Sequence, residues 1–305
     1  MTPVLIWIGR RGPFFLVAGL VVGLLSPTAS EFVRPWVGAL IALLLVVTGA
    51  RVGAAKVFGR PGDLGPVLRR IGVLQVICPI AAFAVFAGMG ALHHPMALAI
   101  VLMLAAPSVT GAPNFAIMIG ALPDAGMRLL VIGTALFPAT ALLIFLLADP
   151  GGSGPMGALT QSLGLLAVIL VSVGLGLVIR QNVPGLGDTL PQRTLDGIAA
   201  LLLAVVVVGL MSAIGPLLRD NPLTLVGWLM AACGINFGLV LLTYAVCLRF
   251  GLDDPISTAI YAGNRNIALF LVVLPEEFAA PMMIFVGCYQ IPMYLTPVLF
   301  MGIRR

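Results

Sequence analysis

Residues Gly111 to Asp124 read GAPNFAIMIGALPD, and residues Gly263 to Glu276 read GNRNIALFLVVLPE. Overlaid without a gap, at an offset of 152, they coincide at Gly111/Gly263, Asn114/Asn266, Ala116/Ala268, Leu122/Leu274 and Pro123/Pro275. An acid follows each proline, Asp124 in one copy and Glu276 in the other. Glycine, asparagine and proline are uncommon inside apolar segments, so the match reads as an internal repeat rather than as low-complexity sequence matching itself. The offset is half of the 305-residue chain.

The surrounding composition says what kind of repeat this is. Hydrophobic residues make up 61% of the chain and charged residues 9%, against roughly 25% charged in soluble domains. Such a chain cannot coat a surface facing water; its solvent is lipid. Apolar runs bounded by Pro, Gly and charge predict ten spans. They are Pro13–Ser26, Pro35–Ala50, Ile71–Leu92, Met96–Ala121, Met127–Ala148, Ala158–Ile179, Leu195–Leu218, Leu223–Leu248, Ile256–Leu274 and Met282–Gly302. The repeated motifs fall in the fourth and ninth. Five crossings separate them, and an odd number inserts the copies with opposite orientation. The predicted fold is therefore an all-α membrane protein of ten transmembrane helices, two inverted five-helix repeats spanning 1–152 and 153–305.

Charge sets the orientation. With the N-terminus in the cytoplasm, inside segments hold Arg10, Arg11, Arg51, Lys56, Arg60, Arg69, Arg70, Arg128, Arg180, Arg193, Arg249, Arg304 and Arg305, and outside loops only Arg34 and Arg219. That asymmetry places both termini in the cytoplasm of a multi-pass protein of the bacterial inner membrane. Arg10 and Arg11 before an apolar run imitate a signal peptide, but topology and repeat both require a retained first helix. The cations form no basic stripe, so nucleic acid is not an expected partner despite the net charge of +5. Cys78, Cys233, Cys247 and Cys288 lie in apolar runs without metal-ligand spacing and read as packing residues. No metal or other cofactor is expected.

Both repeated spans carry helix breakers: Pro107, Gly111 and Pro113 in the fourth, and Gly263 before Asn264, Arg265 and Asn266 in the ninth. Breakers at mid-span predict discontinuous crossing helices, tolerated where they are buried or line a cavity. The first half-helices would end in free carbonyls suited to cations. The second would begin, near Asn114 and Asn266, with free N–H groups suited to anions.

These residues resemble the bile acid:sodium symporter family, over essentially the whole chain. The family's fourth-span crossing is similar to APSVTGAPN here, Ala106 to Asn114, and its ninth-span motif to YAGNRN, Tyr261 to Asn266. A polar pair in the tenth span resembles Tyr289 and Gln290, and a glutamine in the third resembles Gln75, one residue off in its spacing to Pro79. The resemblance implies a panel domain from spans 1, 2, 6 and 7, a core domain from spans 3–5 and 8–10, and transport of organic anions by alternating access. It also implies departures at the ion site. Tyr261 stands where the family has a sodium-ligating glutamate and Arg265 where it has a glutamine. Pro113 replaces a serine, and Met127 and Val131 occupy ligating Ser and Thr positions. Asn114 and Asn266 keep their identity. The ion-site equivalents are thus Tyr261, Arg265, Gln75, Asn114, Met127 and Val131, and sodium coupling in the family's manner is not expected.

Arg265 is the only charge deep within any span. A lone cation at mid-bilayer costs from ~2.5 to over ~10 kcal/mol, so something must neutralise it. Three arrangements would do so. The guanidinium fills the family's sodium space, held by carbonyl ends of the half-helices. Alternatively it faces a cavity and binds a substrate carboxylate or sulfonate. In the third, it snorkels to water or pairs with Asp124 or Asp254. Candidate substrate contacts are Arg265, Asn266, Asn114, Thr110, Asn264, Tyr289 and Gln290, with Asn114 and Asn266 also expected to cap the second half-helices. Gln75 and Asn236 read as interhelical glue, His93 and His94 as an external turn, and Glu276 and Glu277 as the outer cap of span nine.

The expected function is a sodium-independent secondary transporter of a small organic anion, with Arg265 in place of the coupling cation. A sodium symporter with a rebuilt ion site is the alternative, and a membrane sensor that does not transport is another. No HExxH motif and no pair of intraspan aspartates occurs, so an enzyme is not expected.

Overall fold

A computed structural model describes residues 2–51, 64–119, 121, 123–149, 152–186 and 189–303. Among these residues the chain is helical and forms no strand; its β structure is one isolated bridge. Among the described residues seven stretches are long and apolar enough to cross a bilayer: Pro27–Arg51, Leu64–Gly88, Ala125–Ala148, Gly154–Asn182, Pro191–Asp220, Pro222–Arg249 and Glu276–Phe300. The protein is an all-α, multi-pass membrane protein.

The first predicted span is α2 (Gly12–Leu25); a further helix, α1 (Thr2–Arg10), precedes it at a bend of 82°. Arg11 at the bend lies over the Trp7 ring, 4.7 Å from its centroid, which holds the cation at the end of the apolar run. Two other predicted spans are interrupted. The fourth span is two short helices, α7 (Pro95–Ala105) and α8 (Ala112–Met118), either side of a break. The ninth is α14 (Pro255–Gly263) followed by a 3-10 turn, Ile267–Val272, rather than a second α half-helix. Both discontinuities fall where proline and glycine predicted them. Glu276 and Glu277, expected at the outer end of the ninth span, form the first turn of α15 (Glu276–Ile303), where acids complement the helix dipole.

The chain divides into two compact units. One comprises Met1–Lys56 and Ala167–Leu225. It contains α1, α2, α3 (Pro27–Val33), α4 (Val37–Arg51), the end of α10 (Gly154–Asn182), α11 (Thr189–Leu210) and α12 (Ile214–Asp220). Its helices approach backbone to backbone through glycines. A side chain at Gly197 would run into the Leu5 carbonyl, and one at Gly176 into the Val46 carbonyl. Without a hydrophobic force between helices in lipid, such close approaches supply the packing energy. Side chains also donate to carbonyls in the last described turn of α4. Arg180 Nη1 donates to Ala50 O at 2.9 Å and Arg51 O at 3.0 Å, and Arg51 pairs with Asp196 at 2.5 Å. Gly197→Ala is expected to push α1 off α11 and lower stability by about 1–3 kcal/mol, the usual cost of overpacking. Thermal unfolding in detergent measures this.

The other unit comprises Val57–Leu166 and Val226–Arg305. It contains α5 (Leu64–Ile71), a π-turn at Gly72–Ile77, α6 (Cys78–Gly88), α7, α8, α9 (Pro123–Ala148), the start of α10, most of α13 (Pro222–Arg249), α14 and α15. Beyond the end of α6, Gly90 with a φ of +66° lets Ala91 N–H reach back to Phe86 O. His94 caps the next helix, its Nδ1 accepting from Met96 N–H at 3.2 Å. Both broken spans lie in this unit.

Candidate functional site

The breaks meet. Val109 N–H donates to Asn264 O at 2.9 Å and Asn266 N–H to Pro107 O at 2.7 Å, so Ser108 and Arg265 face each other in an antiparallel bridge. Ser108 Oγ adds a bond to Asn264 O at 3.1 Å. Pro107 has no N–H to continue α7, and the chain leaves it extended. Two short extended pieces, each at the end of a helix, thereby satisfy one another in a setting where water cannot.

Every helix that stops here leaves carbonyls without helical donors, and buried side chains take them. At the end of α7, Gln75 Nε2 donates to Ala105 O at 3.3 Å and Arg265 Nη1 to Ala106 O at 2.9 Å. At the end of α14, Arg265 Nε donates to Ala262 O at 2.8 Å, and Asn236 Nδ2 and the Tyr289 hydroxyl both donate to Gly263 O. Asn264 folds back to Ile260 O through Nδ2 at 3.0 Å. The third guanidinium nitrogen, Nη2, donates to Leu74 O in the π-turn at 3.0 Å. Arg265 is 1% exposed, with its guanidinium carbon 4.9 Å from the centroid of the Tyr261 ring.

Among the described residues no carboxylate takes part. The charge of Arg265 is balanced by three carbonyls from three elements, two of them at the negative ends of helix dipoles, and by an aromatic face. Of the three arrangements the sequence leaves open, these bonds have the carbonyl contacts of the first, while the Asp124 side chain lies outside the described residues. The side chain does not reach water and does not pair with Asp254.

Tyr261 and Gln75 form the floor. The Tyr261 hydroxyl donates to Gln75 Oε1 at 2.8 Å, and Gln75 Nε2 also reaches Gly133 O at 3.4 Å. Gly133 is where α9 lets the phenol in: a Cβ there would strike the Tyr261 hydroxyl and lie 3.0 Å from Gln75 Oε1. Apolar packing around the ring comes from Val67, Ile71, Leu74 and Leu129, with Ile132 and Leu136 beside them.

Not every predicted site residue is brought here. Met127 and Val131 are half-buried, and each is two residues from a position that faces Tyr261, about 200° round the helix. The α9 residues at the site are Leu129 and Gly133 instead. Gln290 bonds within its own helix, Nε2 to Val286 O at 3.1 Å and Oε1 from the Tyr294 hydroxyl at 3.0 Å. Asn266 stands at the start of the 3-10 turn but its side chain makes no cap bond; it is half-buried. Thr110 is buried in the first break. Asn114 is the third residue of α8, and its side chain lies outside the described residues, as does that of Asp124.

One participant escaped the sequence reading. Thr296 is fully buried, and its hydroxyl lies 3.2 Å from Asn236 Oδ1, 3.1 Å from Asn264 Oδ1 and 3.1 Å from Pro292 O. The amide nitrogens of both asparagines are engaged elsewhere, which fixes their oxygens toward the threonine. The signal available was the one threonine of the tenth span, between Pro292 and Pro297.

No protein-family model matches this chain. No curated protein matches it significantly.

Proposed function

We propose that this chain is a secondary transporter of a small organic anion, in which Arg265 stands as a fixed cation in place of a mobile coupling ion. One observation carries the reading: a buried guanidinium held by main-chain carbonyls of interrupted helices, with no acid beside it among the described residues. Backbone carbonyls at the ends of half-helices are how transporters hold cations at mid-membrane. Here a cation is supplied by the chain itself.

The architecture supports the reading. The seven long helices, the bent N-terminal pair and the two broken spans together number ten, which is the count that two inverted five-helix halves, 1–152 and 153–305, require. The grouping of the N-terminal helices with the end of α10, α11 and α12 agrees with a panel, and the other unit with a core of the kind the bile acid:sodium symporter family has. A positive centre without an acid favours anionic cargo such as a carboxylate or sulfonate. Asn266, half-buried and making no side-chain cap bond, and Thr110 are the residues we assign to it. The distribution of arginines favours cytoplasmic termini in a bacterial inner membrane.

A second reading has an observation of its own. The Asn236 and Asn264 amide oxygens, Thr296 Oγ1 and Pro292 O form an oxygen-rich knot in which one hydroxyl proton serves three acceptors. Hard cations take such oxygens, which favours a sodium symporter with a rebuilt site. Uptake by proteoliposomes separates the two. A panel of carboxylate and sulfonate anions is offered under an inward sodium gradient and in sodium-free potassium. Equal rates are expected; strict sodium dependence would overturn the fixed-cation reading in favour of the second. Saturable binding without uptake would point to a sensor.

A further inference from the structure

Leu74 supplies the third carbonyl to Arg265 from inside a helical stretch, where a carbonyl is ordinarily consumed by the helix. In an α-helix the N–H four residues on, that of Cys78, would take it. Cys78 N–H donates instead to Val73 O, the wider bond of a π-turn. In that wider register the donor for Leu74 O would be residue 79, and residue 79 is proline. The carbonyl is left with no helical donor, and Nη2 of Arg265 takes it.

The turn is widened for a reason the sequence states. A proline within a helix clashes with the carbonyl four residues before it, here that of Gln75. Opening the helix by one residue relieves the clash, and π-turns are frequent at functional sites. The same turn carries the Gln75 side chain, buried and bonded to Ala105 O, Gly133 O and the Tyr261 hydroxyl. One local distortion therefore sets both the ligand above the guanidinium and the support for the ring beneath it.

We infer that Pro79 is a positioning residue for Arg265. By forcing the π-turn and withholding an N–H, it keeps the Leu74 carbonyl free and so fixes the plane of the guanidinium. A residue with an N–H at 79 lets the helix close to α register, where Cys78 reclaims the Leu74 carbonyl. The inference rests on the fixed-cation reading only for what Arg265 is for, so its test observes the guanidinium directly and uses no substrate or ion gradient. A failure there leaves the uptake experiment to judge the transport reading alone.

The test is nuclear magnetic resonance of the full chain in detergent with isotope-labelled arginine, the Arg265 signals being assigned by their loss in Arg265→Lys. In the wild type, resolved Nε–H and Nη–H resonances are expected, because three bonds hinder rotation of the group and exclude water. In Pro79→Ala, Nη2–H exchange is expected to rise roughly tenfold or more, the loss of one charge-assisted bond. Nε–H, held by Ala262 at the end of α14, is expected to stay protected. Pro79→Ser, which also restores the N–H, repeats the test should the alanine variant not fold. Unchanged Nη2–H protection in either folded variant overturns the inference. So does equal loss at Nε and Nη2, which marks general loosening, and so does the absence of any protected Arg265 signal in the wild type.

Discussion

Arg265→Ala is expected to lower stability by about 3–5 kcal/mol, the range seen when one partner of a buried charged cluster is removed. The loss has a clear origin. Three buried carbonyls, those of Leu74, Ala106 and Ala262, lose their donor together, and each orphaned group costs about 1–3 kcal/mol. Part of that is offset because the cation no longer has to be desolvated, which is why the sum of the three is not expected in full. Arg265→Lys separates charge from shape. An ammonium keeps the charge but not the planar fork that reaches three elements at once. Lysine is therefore expected to recover less than half of the lost stability. Thermal unfolding in detergent reads both variants. Recovery to wild-type stability by lysine would show that charge alone matters.

The second large effect is expected on the opposite wall. Gly133→Ala places a methyl group against the Tyr261 hydroxyl and Gln75 Oε1, both on side chains with nowhere exposed to go. Overpacking of this kind costs about 1–3 kcal/mol. Tyr261→Phe alone removes the donor to Gln75 Oε1 and costs about 1 kcal/mol. In combination the two should be milder than their sum, by about 1 kcal/mol or more, because the hydroxyl that meets the new methyl is gone. Strict additivity would mean that α9 yields rather than the phenol, and that Gly133 does not hold Tyr261 in register under the guanidinium.

The interruptions were legible because proline and glycine carry their backbone consequences in their names. Pro107, Gly111 and Gly263 marked them, and a lone arginine between two asparagines marked where the chemistry lies. Register was not legible. The overlay matches equivalent positions of the two copies and does not say which residues face each other across the breaks, where Ser108 pairs with Arg265. Pro107 ends α7 before the repeated motif begins, and no proline does so in the second copy, where the chain turns at Asn264. The ligands of Arg265 were hidden for another reason: they are carbonyls, and any residue type provides one. Pro79 was the trace of the third, read only as a marker of spacing. Met127 and Val131 lie on another side of α9 from Leu129 and Gly133, because position in the family's sequence does not fix which side of the helix faces Tyr261.

The stitch between Pro107–Val109 and Asn264–Asn266 has a further outcome. Neither broken span can straighten alone, since lengthening one helix through its gap would strip the main-chain bonds that complete the other. The two gaps open or persist as a single latch, and distortions introduced on one strand of it are paid out on both, however far apart they lie along the chain. A spring with two coils wound on one pin behaves in the same way.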